Sequence, residues 1–479
     1  MSTSTTTSAD GSEWMWVDLM NALYQAPLYH LSIEALLVLW IVRLMFFKSY
    51  KIEEKVPLTE KEKQELIDQW QPEPLVPKLT DPLKPYKVVT GQPGKRITVN
   101  SYDCLNLASM NFLGFLGNKR IEEKSTNAIK KYGVGSCGPR GFYGTVDVHL
   151  DLENRLAKYI GAEEAIIYAY GFATIASAIP AYSKRGDIIY ADECVCFAIQ
   201  KGNQASRSKI VYFKHNDMED LEAKLKEQEL KDKKEPKRAS VTRKFIVVEG
   251  IYANTGNICP LPKLIELKYR YKVRLFIEET FSFGVLGEHG RGVTEHFNIP
   301  IEKVDLVAGS LEYSLASIGG FCAGRTYVID HQRLSGQGYV FSASLPPLLS
   351  CAAIEALDIM EEDTSRFSIL RKNGSFMQQM LSNIPSLEVV GNPESPVFHL
   401  HCKLFKDRKR EEKYMESLVD MCMKEGVALT LAARLEQEEL LQDQSPSIRV
   451  CVSSEMSEDE LRQAANIIEK AAAKLENDR

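Results

Sequence analysis

Six short runs, "EAIIYAYG", "DIIYADE", "KIVYFKH", "KFIVVEGIY", "VRLFIEET" and "VDLVAGS", lie between residues 164 and 310, each separated from the next by enough chain for a helix. They are continuously apolar rather than alternating, so both faces of each strand must be covered. Strands of this kind interleaved with helices predict a mostly parallel sheet in an α/β fold. Ligands of such sheets gather beyond the carboxyl ends of the strands, which makes the polar residues closing each run the first candidates for chemistry. From about residue 348 the rhythm changes. Helical segments flank "LEVVG", "PVFHLHC" and "IRVCVS", and the chain closes on "SEDELRQAANIIEKAAAKLE", which predicts a smaller α+β domain over residues 348–479.

A second constraint is "LYHLSIEALLVLWIVRLMFF", residues 28–47, whose centre from Ala35 to Val42 has no polar side chain. Its length is about the ~20 residues that a bilayer requires, and it predicts one transmembrane helix. A signal peptide would need a basic leader, yet residues 1–27 contain no Lys or Arg. A helix lying on the surface would need a polar face. Arg43, Lys48 and Lys51 follow the segment while Asp10, Glu13 and Asp18 precede it. That asymmetry puts residues 1–27 on the lumenal side and the bulk of the chain in the cytosol. Residues 1–9, rich in Ser and Thr, are expected to be disordered, and Trp14 and Trp16 to lie at the lumenal interface. Residues 48–90 form a linker arm, a charged helix followed by a proline-rich stretch. The charged segment 222–244 is expected as a solvated helix plus loop.

Net charge is −6 with both signs interspersed, so nothing draws the chain to nucleic acid. The ten cysteines are scattered. Only Cys194 and Cys196 lie close, without a second pair, so no metal site is expected, and free thiols fit a reducing compartment.

"GVGSCGPRGFYGT" contains Gly133, Gly135 and Gly138 in G-x-G-x-x-G spacing. A dinucleotide loop would need a strand before it and a helix opening at its end. Here "IEEKSTNAIKKY" before it is helical, and Pro139, Arg140 and Gly141 interrupt any helix at the third glycine. The stretch predicts instead a tight turn with positive φ and close backbone approach. Arg140 then either points its guanidinium into a site or lies exposed on a surface loop.

Taken in order, "GVGSCGPRGFYGTVDVHLDLENRLA", "YGFAT", "VVEGIYANTG", "SFGVLGEHGRG", "SIGGFCAG" and "FSASLPP" resemble the α-oxoamine synthases, fold-type I pyridoxal-phosphate enzymes that condense an amino acid with an acyl-CoA. The resemblance covers residues 100–460. It implies a fold-type I aminotransferase-like large domain over residues 91–347, ahead of the smaller C-terminal domain. Pyridoxal phosphate forms its internal imine with a lysine amine. The family's lysine position is matched by Tyr313, and neither that phenol nor Glu312 beside it can form an imine. Lys303 lies upstream, on the far side of the strand. The aspartate under the pyridine nitrogen is matched by Glu278, whose extra methylene displaces the carboxylate by about 1.5 Å. The histidine stacked on the ring is matched by Cys196, and a further family histidine by Phe281. All four losses fall on the chemistry and none on the scaffold glycines, so this chain is expected to hold no catalytic residue and no cofactor.

Active sites in this family lie at a dimer interface. The resemblance therefore implies a heterodimer with a lysine-bearing catalytic homologue that binds pyridoxal phosphate. Ser342 and Ser344 would approach the partner's phosphate, and Cys137, Arg140 and Tyr143 would border its substrate entrance. A small activating subunit, ORM-like regulatory proteins and membrane lipid are the further contacts implied, at the endoplasmic reticulum membrane. His149 is expected as a packed, hydrogen-bonded histidine. Gly171 and Phe172 open a helix whose N-terminus cradles phosphate in active relatives, and His289, Arg291 and Gly292 are expected as turn residues. Two other readings stay open: an active pyridoxal enzyme using a different lysine, and a membrane scaffold or lipid sensor without catalytic contribution.

Overall fold

The computed structural model describes residues 20–21, 24–25, 27–46, 58–75, 86–432 and 445–477. The chain divides into two compact units, residues 1–84 and 85–479. In the first, Leu28–Phe46 is one helix of 19 residues with no buried side chain, about 28 Å long at the usual rise per residue. Among the described residues it is the one helix long and apolar enough to cross a membrane. A shorter helix, Glu60–Gln69, starts from a capping box in which Thr59 and Glu62 bond each other's backbone N–H. The expected disorder of residues 1–9, the two interfacial tryptophans and the flanking charges at 10–18, 48 and 51 lie outside the described residues.

The second unit begins with β1 (Val89–Thr90), β2 (Arg96–Val99) and β3 (Tyr102–Asn106), an antiparallel meander. Its large sheet follows: β4 (Glu164–Tyr168), β5 (Ile188–Asp192), β6 (Lys209–Phe213), β7 (Lys244–Glu249), β8 (Arg274–Glu278), β9 (Leu306–Ser310) and β10 (Gly320–Gly324). Their spatial order is β4-β10-β9-β8-β7-β5-β6. From β6 through β9 every neighbouring pair is parallel. Every residue of β5 and β9 is buried, as are all but the first of β7 and β8. That two-sided burial is why the six runs read as unbroken apolar stretches. The seventh strand, β10, is antiparallel to both β4 and β9. It is Gly-Phe-Cys-Ala-Gly, too short and glycine-rich to register as a strand in sequence.

The C-terminal sheet is β11 (Leu387–Val390), β12 (Val397–Cys402), β14 (Thr430–Leu431) and β15 (Ser447–Cys451), in the order β11-β12-β15-β14 and antiparallel throughout. Between β12 and β14, β13 (Val427–Ala428) leaves this sheet and pairs parallel with β3, with Leu105 opposite Val427. The N-terminal meander thus joins the C-terminal segment, a long-range pairing that a reading along the chain cannot register. The segment 222–244 contains the helix Met218–Lys234 up to Lys234, anchored by buried Leu221 and Leu225 under a charged outer face.

Candidate functional site

The parallel strands β5, β7, β8 and β9 end on Asp192, Glu249, Glu278 and Ser310, and all four are buried. Glu249 and Glu278 are register partners on adjacent strands. Burial pushes the Glu278 carboxyl up to about 8, and Glu249 beside it adds to the shift, against hydrogen bonds from the Thr280 hydroxyl and N–H. Burial likewise raises Glu249 to about 7, although it accepts the N–H of Cys196 at 2.5 Å and of Ala253 at 3.0 Å. A carboxyl in the Glu278 position keeps its proton at neutral pH. Burial also drives the Cys196 thiol far above its ordinary range, making it an inert filler at the start of the helix Phe197–Ser206.

Asp192 binds His215, with Nδ1 2.9 Å from Oδ1. Burial alone would lower the histidine, but Asp192 and Cys194 together outweigh it and bring His215 to about 10. Asp192, Cys194 and His215 present ligand-type atoms within 4.8 Å of one another. Asp192, however, already accepts the N–H groups of Cys194 and Asn216, both at 2.8 Å. His215 Nε2 lies 3.1 Å from Thr255 Oγ1 and from Asn257 Nδ2. Asp192 and His215 thus already have partners within the protein, the charged ring donating to Asp192 and to Thr255.

Tyr313 follows β9. Burial raises its phenol, and the charged or ionisable groups bearing most strongly on it are Glu312, Arg449, Glu278 and Cys196. The structure thus gathers Tyr313, Glu278 and Cys196 at one place. Phe281 joins them, its ring centroid 5.1 Å from that of Tyr313. Phe112 completes an aromatic cluster at 6.2 Å from Tyr313 and 6.3 Å from Phe281. Each such pair contributes about 0.5–1.5 kcal/mol beyond burial. No lysine is among the groups that bear most on Tyr313, Glu278 or Cys196.

Glu312 brings its carboxyl to the start of the helix Gly171–Tyr182, and burial raises its pKa against the opposing pull of the Gly171 N–H and Ser310. Its own N–H donates to Ser310 Oγ at 3.0 Å. A Cβ on Gly171 would sit 2.7 Å from Ser310 Oγ and 3.1 Å from Glu312 Oε1, so glycine is what lets the three groups meet. Phe172, next in the helix, is exposed and packs on Phe197 at 6.1 Å between ring centroids. The helix start where the resemblance implies a phosphate cradle holds a carboxylate. Pyridoxal phosphate does not fit this set of residues: the amine is absent, the acid carries its own proton, aromatic rings pack beside it and the anion position is taken.

The glycine loop leaves the helix Lys119–Tyr132 at Gly133, φ 79°. A Cβ at Gly138 would meet the Phe142 carbonyl at 2.8 Å, so the close approach expected here is to the loop's own backbone. Arg140 does not point into an open site. Its guanidinium is buried and bonds Glu153 through both terminal nitrogens, at 2.8 and 2.9 Å, and Thr145 Oγ1 at 3.1 Å. The reason is electrostatic: Glu153 is buried on the adjacent helix Asp147–Ile160 and demands a partner. Ser344 also turns inward, its N–H and hydroxyl each 2.9 Å from the Gly138 carbonyl. Ser136 donates back to the Ser344 carbonyl at 2.9 Å. Cys137 and Tyr143 do face outward, flanked by exposed Phe142 and Phe341, while Ser342 is half-buried beside Phe341. His149 is fully buried, accepting the Val146 N–H on Nδ1 and donating from Nε2 to the Leu345 carbonyl. His289 and Arg291 sit in a turn organised by Glu295, and Gly292 (φ 99°) lies against Glu279.

Sequence reasoning passed over four contributors. Glu249 closes an apolar run just as Glu278 does, a signal that was legible. Arg449 is a lone cation in an apolar strand, and its Nε is buried without a hydrogen-bond partner. Phe112 and the seat of Glu312 depend on tertiary contacts and left no local trace.

Two outcomes follow from this geometry. Arg140→Ala removes both guanidinium bonds from buried Glu153, leaving it the Ile167 N–H and Arg333 at 3.9 Å, and should cost about 3 kcal/mol in urea unfolding; a loss under about 1 kcal/mol contradicts the internal role. Glu278 rises from 4.5 to about 8 on folding, so its stabilising effect is complete at low pH and is lost as pH climbs through that interval. Glu278→Gln should flatten the fall in stability there by up to about 1.4 kcal/mol per pH unit; an unchanged slope contradicts the buried, protonated state.

Residues 102–468 match the model of the class I and II aminotransferases. The chain is 43% identical to long chain base biosynthesis protein 1 of Arabidopsis thaliana over 449 residues, covering 93% of this chain and 92% of the relative. It is 43% identical to serine palmitoyltransferase 1 of Dictyostelium discoideum, covering 93% and 94%. Among solved structures it is similar to a Sphingomonas wittichii serine palmitoyltransferase (TM-score 0.71, 24% identity, 80% of this chain and 90% of that one). A structure of SPT with a PLP internal aldimine gives a TM-score of 0.72 at 20% identity, covering 81% and 93%. The chain therefore belongs to the family of serine palmitoyltransferase 1 and long chain base biosynthesis protein 1, within the class I and II aminotransferase fold.

Proposed function

We propose that this chain is the required but non-catalytic subunit of serine palmitoyltransferase, which condenses L-serine with palmitoyl-CoA to 3-ketosphinganine at the start of sphingolipid synthesis. The observation that carries the reading is Tyr313, a phenol packed among Phe281, Phe112 and Glu278 where the chemistry needs a lysine amine. On this reading pyridoxal phosphate and its lysine belong to a catalytic long-chain base subunit of the 2 or 3 type. A small activating subunit and ORM-like regulatory proteins complete the assembly. The helix Leu28–Phe46 anchors the chain as a single span in the endoplasmic reticulum membrane, with its bulk in the cytosol.

The outward half of the two interlocked loops supports a role in trans. Phe142, Tyr143 and Phe341 are exposed and offer aromatic anchors to a partner surface. Tyr143 is held at φ 62°, an uncommon conformation for a bulky residue. Arg140 and Ser344 act by fixing these loops, and Ser342, Cys137 and Tyr143 are left to face the partner.

Affinity capture of this chain from detergent-solubilised membranes should recover a lysine-bearing homologue in comparable amount. Phe142→Asp with Tyr143→Asp should cut that recovery by about tenfold or more, as loss of interface anchors does. Recovery of this chain alone from wild-type membranes contradicts the reading. If assembly persists and Ser342 and Tyr143 substitutions leave turnover unchanged, a membrane scaffold without catalytic contribution is the better description.

A further inference from the structure

The disagreement between this pocket and the cofactor is more than a lost amine. A helix N-terminus offers free N–H groups and a partial positive charge to an anion. The helix Gly171–Tyr182 has no side-chain cap at Tyr170 and opens on a glycine, which leaves its end approachable. What occupies that end is the chain's own Glu312 carboxylate, whose Oε1 lies 3.1 Å from where a Cβ on Gly171 would stand. Glu312 is held in place from behind, because its N–H is tied to Ser310 Oγ. The next residue, Tyr313, sends a ring into the cluster with Phe281 and Phe112.

We infer that residues 312–313 form a built-in plug, with the Glu312 carboxylate standing in for a bound phosphate and the Tyr313 ring for a bound aromatic ring. The pocket is closed by the polypeptide itself, so it takes up neither inorganic phosphate nor a phosphorylated aromatic ligand. Two neighbouring side chains from one turn do the work that a phosphorylated cofactor does when it bridges a helix start and a sheet edge. The folded state then gains nothing from cofactor supply. Substitution of Tyr313 by lysine alone would leave the anion position taken.

The inference is separable from the heterodimer reading, since the plug is intrinsic to this chain and a partner-free readout tests it. The full-length chain in detergent micelles is heated with millimolar inorganic phosphate or pyridoxal phosphate, against chloride at matched ionic strength. Wild type should show no specific rise in midpoint with either. Glu312→Ala, which vacates the cradle, should gain a phosphate-dependent rise of about 2 °C or more over wild type under identical salt. Comparison with wild type cancels the general stabilisation that phosphate gives as a salt. Should Glu312→Ala fail to fold, Glu312→Ser keeps a short polar group and is expected to gain the same response. A saturable wild-type response to either anion overturns the plug, as does a folded Glu312 variant that gains none. If neither variant folds, the wild-type titration decides alone: no response supports the plug.

Discussion

An edge where buried strand ends present carboxyl groups has to be closed against water, and in this chain the closure is made by Glu312 and Tyr313. Glu249 and Glu278 are buried side by side with raised pKa values. Leaving such groups beside an empty, solvated hollow would let them ionise, and two adjacent carboxylates repel. Packing a phenol and two phenyl rings over this edge keeps it dry and favours the protonated forms of the acids. Holding the phenol there requires the preceding residue to be fixed, and the Glu312 N–H bond to Ser310 Oγ, with its carboxyl seated against Gly171 at the helix start, supplies that anchor. The helix Gly171–Tyr182 in turn packs on the sheet through buried Thr174, Ile175 and Ala178. The plug is thus continuous with the core.

The same economy governs the two outer loops. Hydrogen bonds from Ser344 to Gly138 and from Ser136 to Ser344 make one body of segments more than two hundred residues apart. His149 ties the helix Asp147–Ile160 to Leu345, and the Arg140–Glu153 pair locks the glycine loop to the same helix. All of these polar groups are spent internally. What remains for a partner is the apolar outer rim at Phe142, Tyr143 and Phe341 with Ser342 beside it.

Much of this was legible in the sequence, for identifiable reasons. Strands buried on both faces leave continuous apolar runs, so six of the seven strands of the large sheet declared themselves, and their closing residues pointed to Glu278. The seventh did not, because Gly320–Gly324 owes its strand to neighbours on both sides rather than to propensity. The substitutions at Tyr313, Cys196 and Phe281 stood out against the resemblance, and the structure brings them to one cluster with Glu278. The direction of Arg140 did not, since a buried acid thirteen residues on decides which way the guanidinium turns. Glu312 was visible only as a residue that cannot form an imine. Its seat at a helix start, more than a hundred residues away in the chain, is a tertiary fact.

The central claim is that this chain closes the cofactor pocket with its own side chains and leaves imine chemistry to another polypeptide. The most direct measurement is borohydride reduction of the purified native assembly, followed by peptide mass spectrometry. The account predicts a pyridoxyl-lysine adduct on a partner peptide and none on any lysine of this chain. A stoichiometric adduct on one of its own lysines would contradict it.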